Sequence, residues 1–202
     1  MSLAGTTDAS GQLPPQQQDS RRRRLVVLGS RAVGKSSICH RYVEKTFLPL
    51  YYPTIASTFD KELQFQGKSY TLEILDTAGQ DEYSILNSKH AIGIHGYVLV
   101  YSVDSRVSFE MIDTIRDKIL SYTGTESVPS VIVGQKCDLH LQRQVSEDEG
   151  KELAARIGCA WVEASAREDI NVDKIFELCL AEIDPPGRPN GPEPQSSKCI
   201  VV

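Results

Sequence analysis

The stretch Gly29-Ser30-Arg31-Ala32-Val33-Gly34-Lys35-Ser36 decides how this chain folds. It fits GxxxxGK[ST], follows the apolar run Leu25-Val26-Val27-Leu28 and leads into helical spacing over about 35–44. A strand that turns through a glycine-rich loop into a helix is the setting in which this pattern works. The glycines let successive backbone N–H groups turn inward around phosphate oxygens, and the helix N-terminus adds its positive dipole end. Lys35 brings a point charge to the β- and γ-phosphates, and the Ser36 hydroxyl is a hard oxygen ligand for Mg²⁺. A Gly-Lys-Ser turn can arise by chance, but between a strand and a helix it reads as a nucleoside-triphosphate site. Arg31, Ala32, Val33, Gly34, Lys35, Ser36 and Ser37 are its expected lining.

Outward from this loop, strand and helix patterns alternate. Strands are expected at about 57–66 and 69–76, joined as a hairpin by the turn Gln66-Gly67-Lys68. Apolar strands recur at Gly96–Val103, at Val128–Gly134 and near Ala160–Ala164. Helical spacing fills 106–122, 146–158 and 171–183, and Ser146 with Glu149 has the spacing of a capping box. Such alternation implies an α/β fold with a mostly parallel sheet covered on both faces. Residues 1–20, rich in Gln, Ser and Pro, read as a disordered leader. The folded domain spans 21–184, and the Pro-rich stretch 185–202 reads as a flexible tail. Arg21 to Arg24 form either a solvated lead-in to the first strand or a contact for anionic lipid.

Composition narrows the classes. The 202 residues carry a net charge of −5, which gives no general push towards nucleic acid. The five cysteines, at 39, 137, 159, 179 and 199, show no metal-ligand spacing and read as reduced cytosolic thiols. An apolar signal core and a bilayer-length apolar run are both missing from the sequence, so the chain is expected to stay in the cytoplasm or on the cytosolic side of membranes.

Asp76-Thr77-Ala78-Gly79-Gln80 ends the strand expected at 69–76. Ligands of open α/β sheets gather at the carboxyl ends of strands. A carboxylate there can hold Mg²⁺ through water, and a glycine N–H can approach the γ-phosphate.

With both motifs present, residues 22–183 resemble the Ras superfamily of small GTPases, and more narrowly its Rheb branch. The resemblance is carried by Asp76-Thr-Ala-Gly-Gln-Asp-Glu-Tyr-Ser-Ile85, by Gly96-Tyr-Val-Leu-Val-Tyr-Ser-Val103 and by Arg31, where most Ras proteins have Gly. It implies a P-loop NTPase G domain: a six-stranded, mostly parallel sheet with one antiparallel edge hairpin, flanked by five helices. It also implies a GDP/GTP cycle with two switch loops that sense the γ-phosphate. By position in the family motif, Thr54 matches the switch I ligand of Mg²⁺ and γ-phosphate. Tyr51 matches an aromatic that covers the phosphates, Phe47 the ring that packs on guanine, and Gln80 the glutamine that orients water. Lys35, Tyr51, Thr54 and Gln80 are thus the implied catalytic set; Ser36, Thr54 and, through water, Asp76 are the implied metal ligands.

Guanine recognition is implied at Gln135-Lys136-Cys137-Asp138, which matches the family's NKxD motif with Gln for Asn, and at Ala164-Ser165-Ala166-Arg167. Asp138 can accept hydrogen bonds from the N1–H and 2-amino group of guanine, a donor pair that adenine lacks. The Lys136 stem can cover the base, and the Ala166 backbone N–H would read O6 beside Ser165. Gln135 is a longer amide than the family's Asn; one lost neutral hydrogen bond costs about 0.5–1.5 kcal/mol. Tyr52, Ala56 and Ser57 stand where the Rheb pattern is acidic or reads Glu-Asn, so the effector face is less acidic.

Cys199-Ile-Val-Val202 is a CaaX pattern, so Cys199 is the expected prenylation site. A single lipid without a polybasic patch gives reversible membrane binding. The endomembranes (lysosome, Golgi or ER) are the expected address. By resemblance, the partners are a tuberin-type GTPase-activating protein, an exchange factor and the target-of-rapamycin kinase complex as effector. Slow intrinsic hydrolysis is implied too. A GTP-loaded or rapidly exchanging scaffold is the alternative function, supported by Gln135 and Arg31.

Overall fold

A computed structural model describes residues 20–49, 54–79 and 93–185. The chain runs β1 (Arg21–Gly29), α1 (Lys35–Glu44), β2 (Ala56–Phe65), β3 (Lys68–Thr77), β4 (Gly96–Ser102), α2 (Arg106–Thr123), β5 (Ser130–Gln135), a 3₁₀ turn (His140–Gln142), α3 (Glu147–Ile157), β6 (Ala160–Ala164) and α4 (Val172–Ile183). The strands form one six-stranded sheet in the order β2-β3-β1-β4-β5-β6. Among the described strands, β2 and β3 pair antiparallel and the other pairs are parallel. Four α-helices lie among the described residues, against the five that the family resemblance implies.

Alternation along β1 builds both halves of the core. Leu25 and Val27 face one way and pack with Ile38 of α1 and Phe176 of α4. Val26 and Leu28 face the other way and pack with Ile112, Ile115 and Ile119 of α2 and Leu153 of α3. A strand buried on both faces must be apolar throughout, which is why Leu25 to Leu28 read as a continuous run.

Three boundaries differ from the sequence expectation. The first strand begins at Arg21, because Arg21–Arg24 pair in register with Tyr70–Glu73. Their side chains find acids: Arg22 and Arg24 bond Glu73, and Arg23 forks onto Asp184. The run is therefore the entry of β1, with the Arg22 side chain still 70% exposed, and its charges are taken up by acids. β5 starts at Ser130 and continues to Gln135, so the first residue of the base motif lies in the sheet. The hairpin loop is only Gln66-Gly67, both at positive φ (50° and 72°), with Phe65 opposite Lys68. That backbone is the two-residue turn whose twist suits antiparallel strands.

Candidate functional site

Elements converge at the carboxyl end of the sheet. Gly29 ends β1 at φ 154°, and a Cβ there would stand 2.1 Å from the Val100 carbonyl oxygen, so the chain passes β4 only as glycine. Gly34 caps α1 in the left-handed region at φ 100°; its missing Cβ leaves room for the Gln135 side chain, which would otherwise be 2.9 Å away. Glycine alone meets such demands without strain.

Lys35 opens α1 and curls back over the loop, its Nζ donating to Gly29 O at 3.0 Å and Ser30 O at 2.8 Å. Burial lowers its pKa to about 8, against the opposing pull of the Asp76 carboxylate. Ser36 Oγ and Thr54 Oγ1 lie 2.8 Å apart, so two hydroxyls from distant segments meet. Beside them, at the end of β3, Asp76 is 1% exposed and its Oδ1 has no hydrogen-bond partner among the described residues. Burial pushes the Asp76 carboxyl up; a hydrogen bond from Ser36 and the charges of Lys35 and His40 oppose that. A buried, unpartnered carboxylate oxygen costs free energy unless something meets it. Two hydroxyls and one carboxylate form an all-oxygen donor set of the kind hard divalent cations take. Two residues past β3, a Cβ on Gly79 would lie 2.5 Å from Arg31 Cα, so this backbone rests directly on the phosphate loop.

The other side of the site is built from two loops held to each other. Lys136 turns the chain out of β5 at φ 65°. Cys137 N donates to Ala164 O at 3.1 Å, and Ser165 Oγ donates to Asp138 Oδ1 at 2.6 Å. The hydroxyl thus fixes the carboxylate's direction. Ser165 and Ile170 exchange backbone hydrogen bonds at 3.0 and 2.9 Å, closing the loop after β6. Gln135 is 2% exposed with Oε1 unpartnered among the described residues, a second enclosed acceptor on the same cavity.

One cavity of about 770 Å³ joins the two sides. Of the expected residues, Ala32, Gly34, Lys35, Ser36, Ser37, Phe47, Thr54, Asp76, Gly79, Gln135, Lys136 and Asp138 line it. Val33 and Ala166 are buried at 2% and 0%, and Val33's methyl packs beside Gly29 in the core. For these two the side chain is closed to a ligand. Arg31 and Ser165 border the site without lining the cavity. Tyr51, Gln80 and Cys199 lie outside the described residues, as do residues 1–19 and 186–202. Ala56 and Ser57 are exposed at the start of β2, next to Ile55 at 92% exposure.

Sequence reasoning missed His40, which also lines the cavity, and Arg41, which borders it; Arg167, named in the base motif without a role of its own, lines the cavity too. The His40 position was legible, since it lies four residues after Ser36 on the same helix face. Arg41 carried no such signal, because its partners are backbone carbonyls 125 and 126 residues away. A second cavity of about 630 Å³ lies between His140, Trp161 and Lys174, where Arg143 is taken up by Glu163.

Comparison with known proteins agrees with this geometry. A family model described as Ras family matches residues 24–184. The GTP-binding protein rhb1 of Schizosaccharomyces pombe is 59% identical over 180 residues, 89% of this chain and 97% of that protein. The small monomeric GTPase RhbA of Aspergillus fumigatus is 54% identical over 183 residues, 90% of this chain and 97% of its own length. The GTP-binding protein Rheb of Homo sapiens is 44% identical over 165 residues, 82% of this chain and 90% of that protein. The chain therefore belongs to the Ras family, as a Rheb-like small GTPase that binds GTP and GDP and hydrolyses GTP.

Proposed function

We propose that this GTPase is a membrane-attached switch whose two states differ in how switch loops meet the γ-phosphate. The observation that carries the reading is the buried, unpartnered Asp76 Oδ1 beside the Ser36–Thr54 hydroxyl pair. Ser36 and Thr54 would hold Mg²⁺ directly and Asp76 through water, and the ion would offset the charge of the phosphate oxygens. The Lys35 ammonium meets the β/γ oxygens, and the Gly79 N–H meets the γ-phosphate. Gln80 orients the attacking water in line, with Tyr51 covering the phosphates. Asp138 accepts from N1–H and the 2-amino group of guanine, the Ala166 N–H donates to O6, and Phe47 and the Lys136 stem sandwich the ring. Hydrolysis removes the contacts to Thr54 and Gly79 and releases both loops.

Around this core the proposed role is growth signalling to the target-of-rapamycin kinase complex. Intrinsic hydrolysis is slow and is accelerated by a tuberin-type activating protein; an exchange factor reloads GTP. The names of the relatives rhb1, RhbA and Rheb support a Rheb-like role. The folded unit is 21–184, with leader 1–20 and tail 185–202; the Cys199 prenyl group anchors it reversibly to the cytosolic face of lysosome, Golgi or ER. The enclosed Gln135 Oε1 favours a second reading, a rapidly exchanging scaffold with little turnover.

GDP and GTP affinities with and without Mg²⁺, followed by single-turnover hydrolysis, test both readings on the wild type and Gln135→Asn. The switch predicts tight, Mg²⁺-dependent, guanine-selective binding that ATP does not displace, slow but real hydrolysis, and roughly 2- to 13-fold tighter GDP binding by the variant. Binding indifferent to Mg²⁺ would sink the metal assignment. Weak wild-type binding restored by Gln135→Asn, with no turnover, would favour the scaffold.

A further inference from the structure

Arg41 lies near the end of α1, outside every motif named above. Its Nε donates to Ala166 O at 2.8 Å and its Nη2 to Arg167 O at 3.1 Å. Its Nη1 donates to Lys45 O at 3.2 Å, where the helix ends in a left-handed residue. Its guanidinium carbon stands 6.0 Å from the centre of the Phe47 ring, within reach of a cation–π contact. One side chain therefore ties three pieces of the base cavity's wall: the end of α1, the Phe47 ring and the loop after β6.

The loop's own bonding shows what this tie does. The peptide joining Ser165 to Ala166 is held by Ile170 N, which donates to Ser165 O at 2.9 Å. The next peptide, joining Ala166 to Arg167, presents its carbonyl to Arg41. The Ala166 N–H belongs to the first of these peptides and is joined to the second through the Ala166 Cα, so its direction follows from both bonds. A guanidinium has donors in a rigid plane, so two bonds to successive carbonyls fix orientation as well as distance. A lysine at this position could meet one carbonyl, but not both in that fixed geometry.

We propose that Arg41 is a positioning residue for the base: by gripping the Ala166 and Arg167 carbonyls and standing over Phe47, it holds the Ala166 N–H on guanine O6 and slows nucleotide release. The inference rests on the proposed reading of Ala166 as the O6 donor. Without Arg41 the loop after β6 keeps its bridge to Ile170 and its Ser165–Asp138 bond, so the Asp138 side of the base is still read. The loss falls on O6.

The test compares dissociation of ribose-labelled GDP and 6-thioguanosine diphosphate from wild type, Arg41→Ala and Arg41→Lys. The thio analogue keeps N1–H and the 2-amino group, and replaces the 6-oxygen with weakly accepting sulfur. The wild type is expected to release the analogue faster than GDP. Arg41→Ala is expected to speed GDP release about tenfold, on the order of one hydrogen bond's contribution, and to change analogue release little, so that the ratio between them collapses. Arg41→Lys, which keeps the charge and loses the fork, gives the same comparison if the alanine variant fails to fold. Equal acceleration of both nucleotides overturns the clasp and makes Arg41 a support for the fold at large; no acceleration of either makes it a bystander. A wild type that releases both at one rate overturns the O6 reading, and the clasp with it.

Discussion

Burial sets the charge behaviour of Lys35, whose pKa falls from 10.5 to about 8. The folded protein without nucleotide therefore binds fewer protons than the unfolded chain between those two pH values. Its stability is lowest, for this group, below pH 8 and rises towards 10.5, by about 3 kcal/mol from a shift of this size. Phosphate oxygens need the ammonium form. GDP binding at pH 9 is accordingly expected to take up close to one proton, and the uptake falls towards zero below pH 8, where Lys35 already carries it. Calorimetry in two buffers of different ionisation enthalpy measures that uptake, and a value of zero at pH 9 would refute it. Gln135 makes a related point: its amide fills the space that Gly34 leaves by lacking a side chain. A longer amide in place of the family's Asn is thus accommodated by contact with the phosphate loop.

Among the elements, α3 shows how local chemistry and packing share a residue. Ser146 Oγ accepts from Glu149 N at 3.3 Å, and Glu149 Oε2 accepts from Ser146 N at 2.9 Å, which completes the capping box read from sequence. Glu149 also takes the Arg106 guanidinium at 2.7 Å, so the first turns of α2 and α3 are joined. The Arg106 hydrogen bond, with those from Ser146, lowers the Glu149 carboxyl to about 2. Ser146→Ala is expected to cost about 1 kcal/mol, the usual worth of an N-cap. Urea unfolding measures it, and an unchanged midpoint would show that the Arg106–Glu149 contact alone holds the turn. The hairpin between β2 and β3 is a case of the same kind. Its position was evident from Gln66-Gly67, while the left-handed backbone at Gln66 (φ 50°) was not, since glutamine seldom takes it.

On the scale of the whole molecule, the first strand and the last helix are locked together at Asp184. Arg23 reaches it at 3.0 and 3.1 Å, Tyr70 at 3.2 Å and Arg21 at 3.8 Å. Burial pushes this carboxyl up, but the Arg23 hydrogen bonds and charge, with Tyr70 and Arg21, override it and hold the pKa below 3.8. The stabilisation is therefore present above that pH and lost as pH falls through the folded value. Asp184→Asn is expected to destabilise the protein by about 2 kcal/mol, the range for hydrogen bonds to a charged group. Denaturant unfolding at pH 7 and pH 3 checks it: the gap between wild type and variant should narrow at the lower pH, and a gap that widens would contradict the assignment. The sequence by itself determined the alternation of strands and helices, the glycine-rich loop ahead of α1 and the separate segments 135–138 and 164–167. Each depends on a local pattern: apolar period, glycine spacing or a carboxylate after a strand. Only the tertiary structure decided that Arg21–Arg24 are strand residues paired with acids, that Asp76 and Gln135 each enclose an unpartnered acceptor, and that Arg41 grips the base loop. Those facts depend on groups far apart in the chain meeting in space, where burial and hydrogen-bond geometry, not sequence spacing, set which partner each one finds.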